Sequence, residues 1–441
     1  MKAADSDRGA WSGNAGFVLA AAGSAIGLGN IWMFPFRAGK NGGAAFVLTY
    51  LAAVLFVGIP LLIAEISIGR QTGRGPVGAF RALRSSRGWQ LVGWLGVVAG
   101  FVILSYYGVV AGWAMDYVWL AASGALSGDG ASLEATFSSL TGDPWRQVAW
   151  QAAFMGVTVM TVAGGVEAGI ERASKVLMPL LLVLILVLLA FSLRSAGAAE
   201  GLRFLLDPRF DELGWGGVLQ ALGQAFFSLS LGMGAMITYG SYLSEKESVA
   251  KSAFAIVAMD TSLALLAGFV IFPLVFAFGL EPTAGPGLVF LTLPNAFAQM
   301  APGTALGQVL ATVFFALLLF AALTSAISLL EVVVAFLIDE MSWGRQAASW
   351  TAGGVIFALG VPSAVVPGFL DIVDGLASNW LLPTGGLLIA LFAGWALSAA
   401  EARAGWSDAT PQMFAAWRFC VRFVAPVAVG IILAQNTGVF G

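Results

Sequence analysis

The chain has 441 residues, 59% hydrophobic and 10% charged, with 56 glycines, a mean hydropathy of +0.89 and a formal net charge of −3. A soluble domain keeps about a quarter of its residues charged, so this composition belongs to a polytopic membrane protein whose spans each need roughly 20 mostly apolar residues. The absence of histidine and the single cysteine, Cys420, exclude histidine-based catalysis, histidine-containing zinc sites and intramolecular disulfides, and no basic domain points to a nucleic acid.

In chain order, residues 1–14 carry mixed charges and read as a short cytoplasmic arm rather than a signal peptide. Apolar runs then predict about eleven spans, near 15–37, 43–69, 90–122, 146–164, 170–193, 215–243, 252–279, 305–338, 348–365, 370–399 and 413–434. Short helices are expected near 200–212 and 288–300. Arg70, Arg74, Arg81, Arg84 and Arg87 lie between the second and third spans with no acidic residue among them. The positive-inside tendency places that loop in the cytoplasm. The N-terminus is then inside and, with an odd span count, the C-terminus outside.

The first span contains "AGSAIGLGNIWMFP" at 22–35, where Gly23, Gly27, Gly29, Asn30 and Pro35 interrupt an apolar helix. The sixth repeats the oddity with "FFSLSLGMGAMITYG" at 226–240. Glycines in one span are accounted for by packing or kinking. Two interrupted spans five apart fit halves of opposite topology, a first repeat over 15–195 and an inverted second over 213–400, with span 11 added. Paired broken helices of this kind point to a transporter site near the bilayer midplane. Freed amides favour carboxylates and freed carbonyls favour hard cations, so the site suits a small zwitterion plus a cation.

Polar residues elsewhere in the spans extend this reading. Asp260 lies in "AMDTSLALLAGFVIFP", and an acid at that depth is a functional candidate by default, with a protonated structural role as the competing reading. Thr324, Ser325 and Ser328 lie in "FAALTSAISLLEV", where hydroxyls also commonly bond back to their own helix. In the fifth span Gly169 and Pro179 frame nine residues, and the proline weakens that helix locally. Either a plain kink or a segment that unwinds to release a cation inward follows.

The segments "WSGNAGFVLAAAGSAIGLGNIWMFPF", "NGGAAFVLTYLAAVLFVGIPLLIAEISIGR", "SYYGVVAGW", "GQAFFSLSLGMGAMITYGSYL" and "LTSAIS…FLIDE" together resemble the neurotransmitter:sodium symporter family, in particular its bacterial amino-acid transporters of the LeuT fold. The resemblance implies an all-α membrane transporter of the bacterial inner membrane, with two inverted five-helix repeats and spans 1 and 6 unwound. It implies Na⁺-driven uptake of an amino acid by alternating access, with two sodium sites. One would use the Ala25 carbonyl, Asn30, Ser228 and Asp260. The other would use carbonyls of Gly23, Ile26 and Ala321 with the Thr324 and Ser325 hydroxyls. The substrate carboxylate would meet amides of Leu28 and Gly29 and the Tyr107 hydroxyl, and the ammonium carbonyls of the broken helices with Ser230 nearby; Ser24 also belongs to the substrate site. Gly27 stands where amine-transporting members carry Asp, which argues for an α-amino acid. Ile103, Tyr107, Phe227, Met233, Ser325 and Leu329 would form the side-chain pocket, implying a hydrophobic substrate, aliphatic or aromatic. Chloride-dependent relatives have Asn where this chain has Asp260, so no chloride requirement is expected.

For the gates, the resemblance assigns Arg8 and Asp339 to a cytoplasmic ion pair beside Trp11 and Tyr242. Outside, the family's usual arginine is replaced by Met33, opposite Asp374. Closure then rests on Tyr107, Phe227 and packing alone, or recruits Arg37 or Lys40. A monomer or weak dimer in the lipid bilayer is expected. Nothing in the chain offers a nucleophile–base pair or nucleotide loop for an enzyme, and a channel would not need paired broken helices.

Overall fold

A computed structural model describes residues 9–84, 86–126, 130–279, 288–300 and 305–437. The first span is a helix pair, α1 (Asn14–Ala25) and α2 (Gly29–Lys40), bent by 53° at the break. Spans two to five follow as α3 (Ala44–Thr72), α4 (Arg87–Ala122), α5 (Pro144–Ala163) and α6 (Val166–Ser192). The sixth is again divided, into α7 (Phe210–Ser228) and α8 (Ala235–Gly240). Then come α9 (Val249–Ala277), α10 (Ala305–Met341), α11 (Arg345–Val365), α12 (Phe369–Ala396) and α13 (Pro411–Asn436).

Among the described residues, eight helices are long and apolar enough to cross a membrane, or nine when the bent pair is taken as one span. The two expected spans outside that number have physical reasons for missing it. Helix α5 opens with Arg146, Gln147 and Gln151, which lower its hydropathy. The sixth span comes apart at 229–234, leaving only six residues in α8. Short helices at Pro76–Leu83, Gly130–Thr141 and Ala399–Gly405 were not expected, and the predicted 200–212 helix is Ala198–Leu206. The Gly169–Pro179 segment is helical throughout, a π turn over Val166–Glu171 running into regular helix with Pro179 inside it. In this structure it is therefore not unwound.

Burial is inverted relative to a soluble protein. Leu182, Val183 and Leu186 on α6 and Val355 and Leu359 on α11 face outward. Asn30, Glu65, Gln224, Asp260 and Glu331 are fully enclosed. Polar groups withdrawn from lipid must find partners inside the bundle, which is where a site for polar cargo forms. The ends are held by ordinary devices. Asp143 caps α5 by accepting from the Trp145 and Arg146 amides (3.0 and 3.1 Å) with Pro144 at the first helical position. Arg84 pairs with Glu401 at 2.7 Å, and that guanidinium together with Ser398 holds the Glu401 carboxyl well below the usual carboxylate range.

Glycine lets α8 lie directly on α3. A Cβ at Gly240 would stand 2.7 Å from the Ile66 carbonyl oxygen and 2.9 Å from its Cα, and neither backbone atom can yield cheaply. Gly240→Val is expected to cost about 1–3 kcal/mol through overpacking. A lowered melting temperature of the purified protein in detergent, with Gly354→Val in open space unchanged, is the result that checks it.

Candidate functional site

The two breaks face each other. Helix α1 ends at Ala25 because Ile26 adopts extended geometry (φ −73°, ψ 101°), and the chain resumes helix only at Gly29. Opposite, Ser230 takes a left-handed conformation (φ 53°) that only a few per cent of non-glycine residues adopt, and Gly232 and Gly234 follow with φ 82° and 75°. Backbone held this way at a buried position marks a constraint beyond folding.

Side chains complete what the backbone leaves open. The Ser24 carbonyl accepts from the Ser230 hydroxyl at 2.8 Å and from the Ser325 hydroxyl at 3.1 Å, and Ser24 donates to Ser328 at 2.7 Å. The Ile26 carbonyl accepts from Ser325 (3.3 Å) and Thr324 (3.5 Å), and Thr324 also donates to the Ala321 carbonyl at 3.0 Å. Gly23 packs against Thr324, whose Cβ lies 3.1 Å from where a glycine Cβ would stand. The residues expected for the second sodium site therefore converge, and every donor atom there is a hard oxygen.

A second cluster lies behind the breaks. The Asn30 amide donates to Ser228 Oγ (3.0 Å), to the Asp260 carbonyl (3.2 Å) and to Asp260 Oδ1 (2.7 Å). Ser228 donates to Asp260 Oδ2 at 2.7 Å. Asn30 Oδ1 accepts from the Gly27 amide at 3.2 Å, tying this cluster to the break. Tyr50, not anticipated from the sequence, reaches the same carboxylate at 3.4 Å.

Between the clusters is a cavity of about 30 Å³, lined by Ser24, Ala25, Gly27, Leu28, Gly29, Asn30, Ile103, Tyr107, Phe227, Ser230, Met233, Ser325 and Leu329. All eleven residues expected to meet a substrate line it. The Tyr107 hydroxyl accepts from the Leu28 amide at 3.3 Å. At Gly27 a Cβ would lie 2.6 Å from Ser325 Oγ and 3.2 Å from the Tyr107 hydroxyl, so no side chain fits there. At Gly29 it would meet the Phe227 ring at 2.7 Å.

Leu28, Gly29, Tyr107 and Phe227 also line a larger cavity of about 380 Å³ above, the vestibule, which includes Met33 and Asp374. These four residues partition the two spaces. Asp374 accepts from Ser378 at 3.2 Å, while Arg37 donates to Gln224 Oε1 at 2.9 Å. Gln224 in turn donates to the Gly29 carbonyl at 3.1 Å, so Arg37 is linked to the break through one side chain. Phe227 additionally faces a third cavity of about 220 Å³ beside Arg37, Gln220 and Asn379.

The opposite end is packed shut. Trp11 is buried, stacks edge-on against Tyr239 and Tyr242, and donates from its indole nitrogen to the Tyr239 carbonyl at 2.9 Å. Tyr242 donates to Glu331 at 2.6 Å, and Arg345 pairs with the same acid at 2.8 Å. Asp339 accepts from the Gly75 amide at 2.7 Å. Ser12 is tied to Glu171, which also pairs with Lys175 at 2.6 Å. Arg8, expected to pair with Asp339, lies outside the described residues.

Tyr50, Gln224, Glu65, Glu171 and Glu331 were missed by sequence reasoning. Glu65, Glu171 and Glu331 were findable, being acids inside apolar runs, and Glu65 accepts from the Gly232 amide at 2.8 Å, bracing the second break. Tyr50 and Gln224 carry no such signal, since only the packing of α3 and α7 brings them in.

Known proteins resemble this chain over nearly its whole length. Residues 8–134 and 133–440 match the profile of the Sodium:neurotransmitter symporter family. The chain is 42% identical to the uncharacterised sodium-dependent transporter YhdH of Bacillus subtilis, covering 97% of this chain and 98% of that one. It is 32% identical to an uncharacterised sodium-dependent transporter of Haemophilus influenzae, covering 99% and 100%. The crystal structure of MhsT in complex with L-phenylalanine superposes with a TM-score of 0.90 at 44% identity, over 97% of this chain and 99% of that one.

Proposed function

The chain belongs to the sodium:neurotransmitter symporter family as a sodium-dependent symporter of the LeuT fold, not an enzyme, and from that premise we propose that it takes up a hydrophobic α-amino acid. The observation that carries this reading is the cavity between the two breaks. It offers unpaired-helix backbone and hydroxyls to a zwitterion, and Ile103, Phe227, Met233 and Leu329 to an apolar side chain. The MhsT structure, with L-phenylalanine bound, lends support from a neighbour.

The substrate carboxylate takes the Leu28 and Gly29 amides and the Tyr107 hydroxyl, so Tyr107 gives up the Leu28 amide it now accepts from. The filled space around Gly27 supports an α-amino acid over an amine, because the chain supplies no anion there. Binding of so large a ligand in so small a cavity requires Phe227 and Met233 to swing aside, and methionine is the side chain best suited to do so. Proteoliposomes loaded with an inward sodium gradient are expected to accumulate leucine, phenylalanine or tryptophan. In competition, glycine is expected to be weakest, and glycine prevailing overturns the assignment.

Two sodium ions are co-transported in this proposal. One takes Ala25, Asn30, Ser228 and Asp260, with the Asn30 amide rotated to present its oxygen. The other takes Gly23, Ile26, Ala321, Thr324 and Ser325. The Asp260 carboxylate supplies next to the first ion the negative charge that an asparagine could not. Uptake is therefore expected to persist when chloride is replaced by gluconate. Asp260→Asn is expected to lower sodium affinity and to make transport respond to chloride; unchanged ion dependence in the variant removes Asp260 from this role.

The vestibule faces outward and the Trp11 end faces the cytoplasm, with the N-terminus inside, in a bacterial inner membrane. Tyr107 and Phe227 close the outer gate over the substrate. Because Met33 cannot pair with Asp374, we assign the role of vestibule cation to Arg37, on the next turn of α2 and in the electrostatic field of that acid. Met33→Arg is expected to alter substrate affinity severalfold in equilibrium binding. Identical affinity and transport would take Met33 out of the gate.

A further inference from the structure

A groove of about 310 Å³ opens on the lipid-facing surface where α4, α10 and α11 pack together. Trp94, Val98, Phe336, Trp343 and Val355 line it with apolar surface, and Trp94 and Phe336 meet with ring centroids 4.6 Å apart. Trp94 is 44% exposed and Trp343 38%, so both rings flank an open slot rather than fill it.

Arg87 begins α4, seven residues before Trp94, so two helical turns place both on one face, about 10 Å apart along the axis. Its neighbours are neutralised: Arg81 pairs with Glu340 and Arg84 with Glu401. Arg87 is exposed and has no ion-pair partner among the described residues. The start of a 36-residue helix adds partial positive charge there, and the Ser86 side chain does not cap it. Exposed tryptophans at this level mark the headgroup region of a bilayer.

We propose that the groove is a phospholipid site, holding one acyl chain of an anionic lipid whose phosphate sits on Arg87. An apolar slot alone would accept any chain. The uncompensated guanidinium at its mouth selects the anionic headgroup, and Trp94 and Trp343 order the glycerol region between the two.

The test is native mass spectrometry of the delipidated full-length protein titrated with palmitoyl-oleoyl phosphatidylglycerol or the matching phosphatidylcholine. One phosphatidylglycerol per chain is expected to bind about fivefold more tightly, the effect of one arginine near an anionic headgroup. Arg87→Gln is expected to equalise the two lipids, and Val98→Trp, which fills the slot from its open side, to weaken both. Detergent melting temperatures equal to the parent's certify that the variants are folded. Equal binding of the two lipids by the parent protein overturns the proposal without reference to any variant. So does loss of the preference in Arg74→Gln, which would make it a general surface-charge effect. A dimer abolished by Val98→Trp overturns it in favour of a second copy.

Discussion

Everything in this fold answers to one requirement: a peptide group placed in hydrocarbon must find a partner, because lipid provides none. Two helices violate the simplest solution by stopping midway. The stops at 26–28 and 229–234 are supportable only because they face one another and are braced by α3, α4, α9 and α10. Glu65 steadies the second break, Ser325 and Thr324 the first, and the Asn30–Ser228–Asp260 cluster joins the two. Apart from Glu65, the bracing groups are the same ones that would coordinate cargo. Binding and folding therefore draw on a single set of oxygens, which is how exchange of a hydrogen bond for an ion or a carboxylate can be nearly balanced in free energy.

The two ends of the bundle are closed by different physics. At the arm end, an indole wedged against Tyr239 and Tyr242 is backed by the ion pair of Arg345 with Glu331, so aromatic packing and charge reinforce each other. At the vestibule end the partition is made of Tyr107, Phe227 and the thin backbone of Leu28 and Gly29. The corresponding charges, Arg37 and Asp374, are each engaged with uncharged neighbours. The vestibule side is thus closed by packing and neutral hydrogen bonds rather than by an ion pair between Arg37 and Asp374.

Much of this was legible in the sequence. Span positions follow from apolar runs, and both breaks are written as clusters of glycine and small polar residues that a lipid-facing helix would avoid. The residues around the central cavity followed from motif resemblance, and the chain does gather them. What was not legible depends on how faces meet. Tyr50 and Gln224 are ordinary residues in their own helices and become part of the site only through the packing of α3 and α7. The helical state of 170–178 is likewise a matter of context: Pro179 permits a break, but whether one opens is decided by the neighbours of α6.

Phe227 borders the central cavity, the vestibule and the polar chamber beside Arg37. A ring with three neighbours of different character cannot be tuned for any one of them in isolation. A smaller side chain would enlarge the central pocket and at the same stroke merge compartments that the mechanism keeps apart, while a larger one would press on Gly29, where there is no slack. Substrate range in such a protein must therefore drift through Met233, Ile103 or Leu329, which of these three cavities line the central one alone, leaving position 227 as the hinge of an otherwise adaptable chamber.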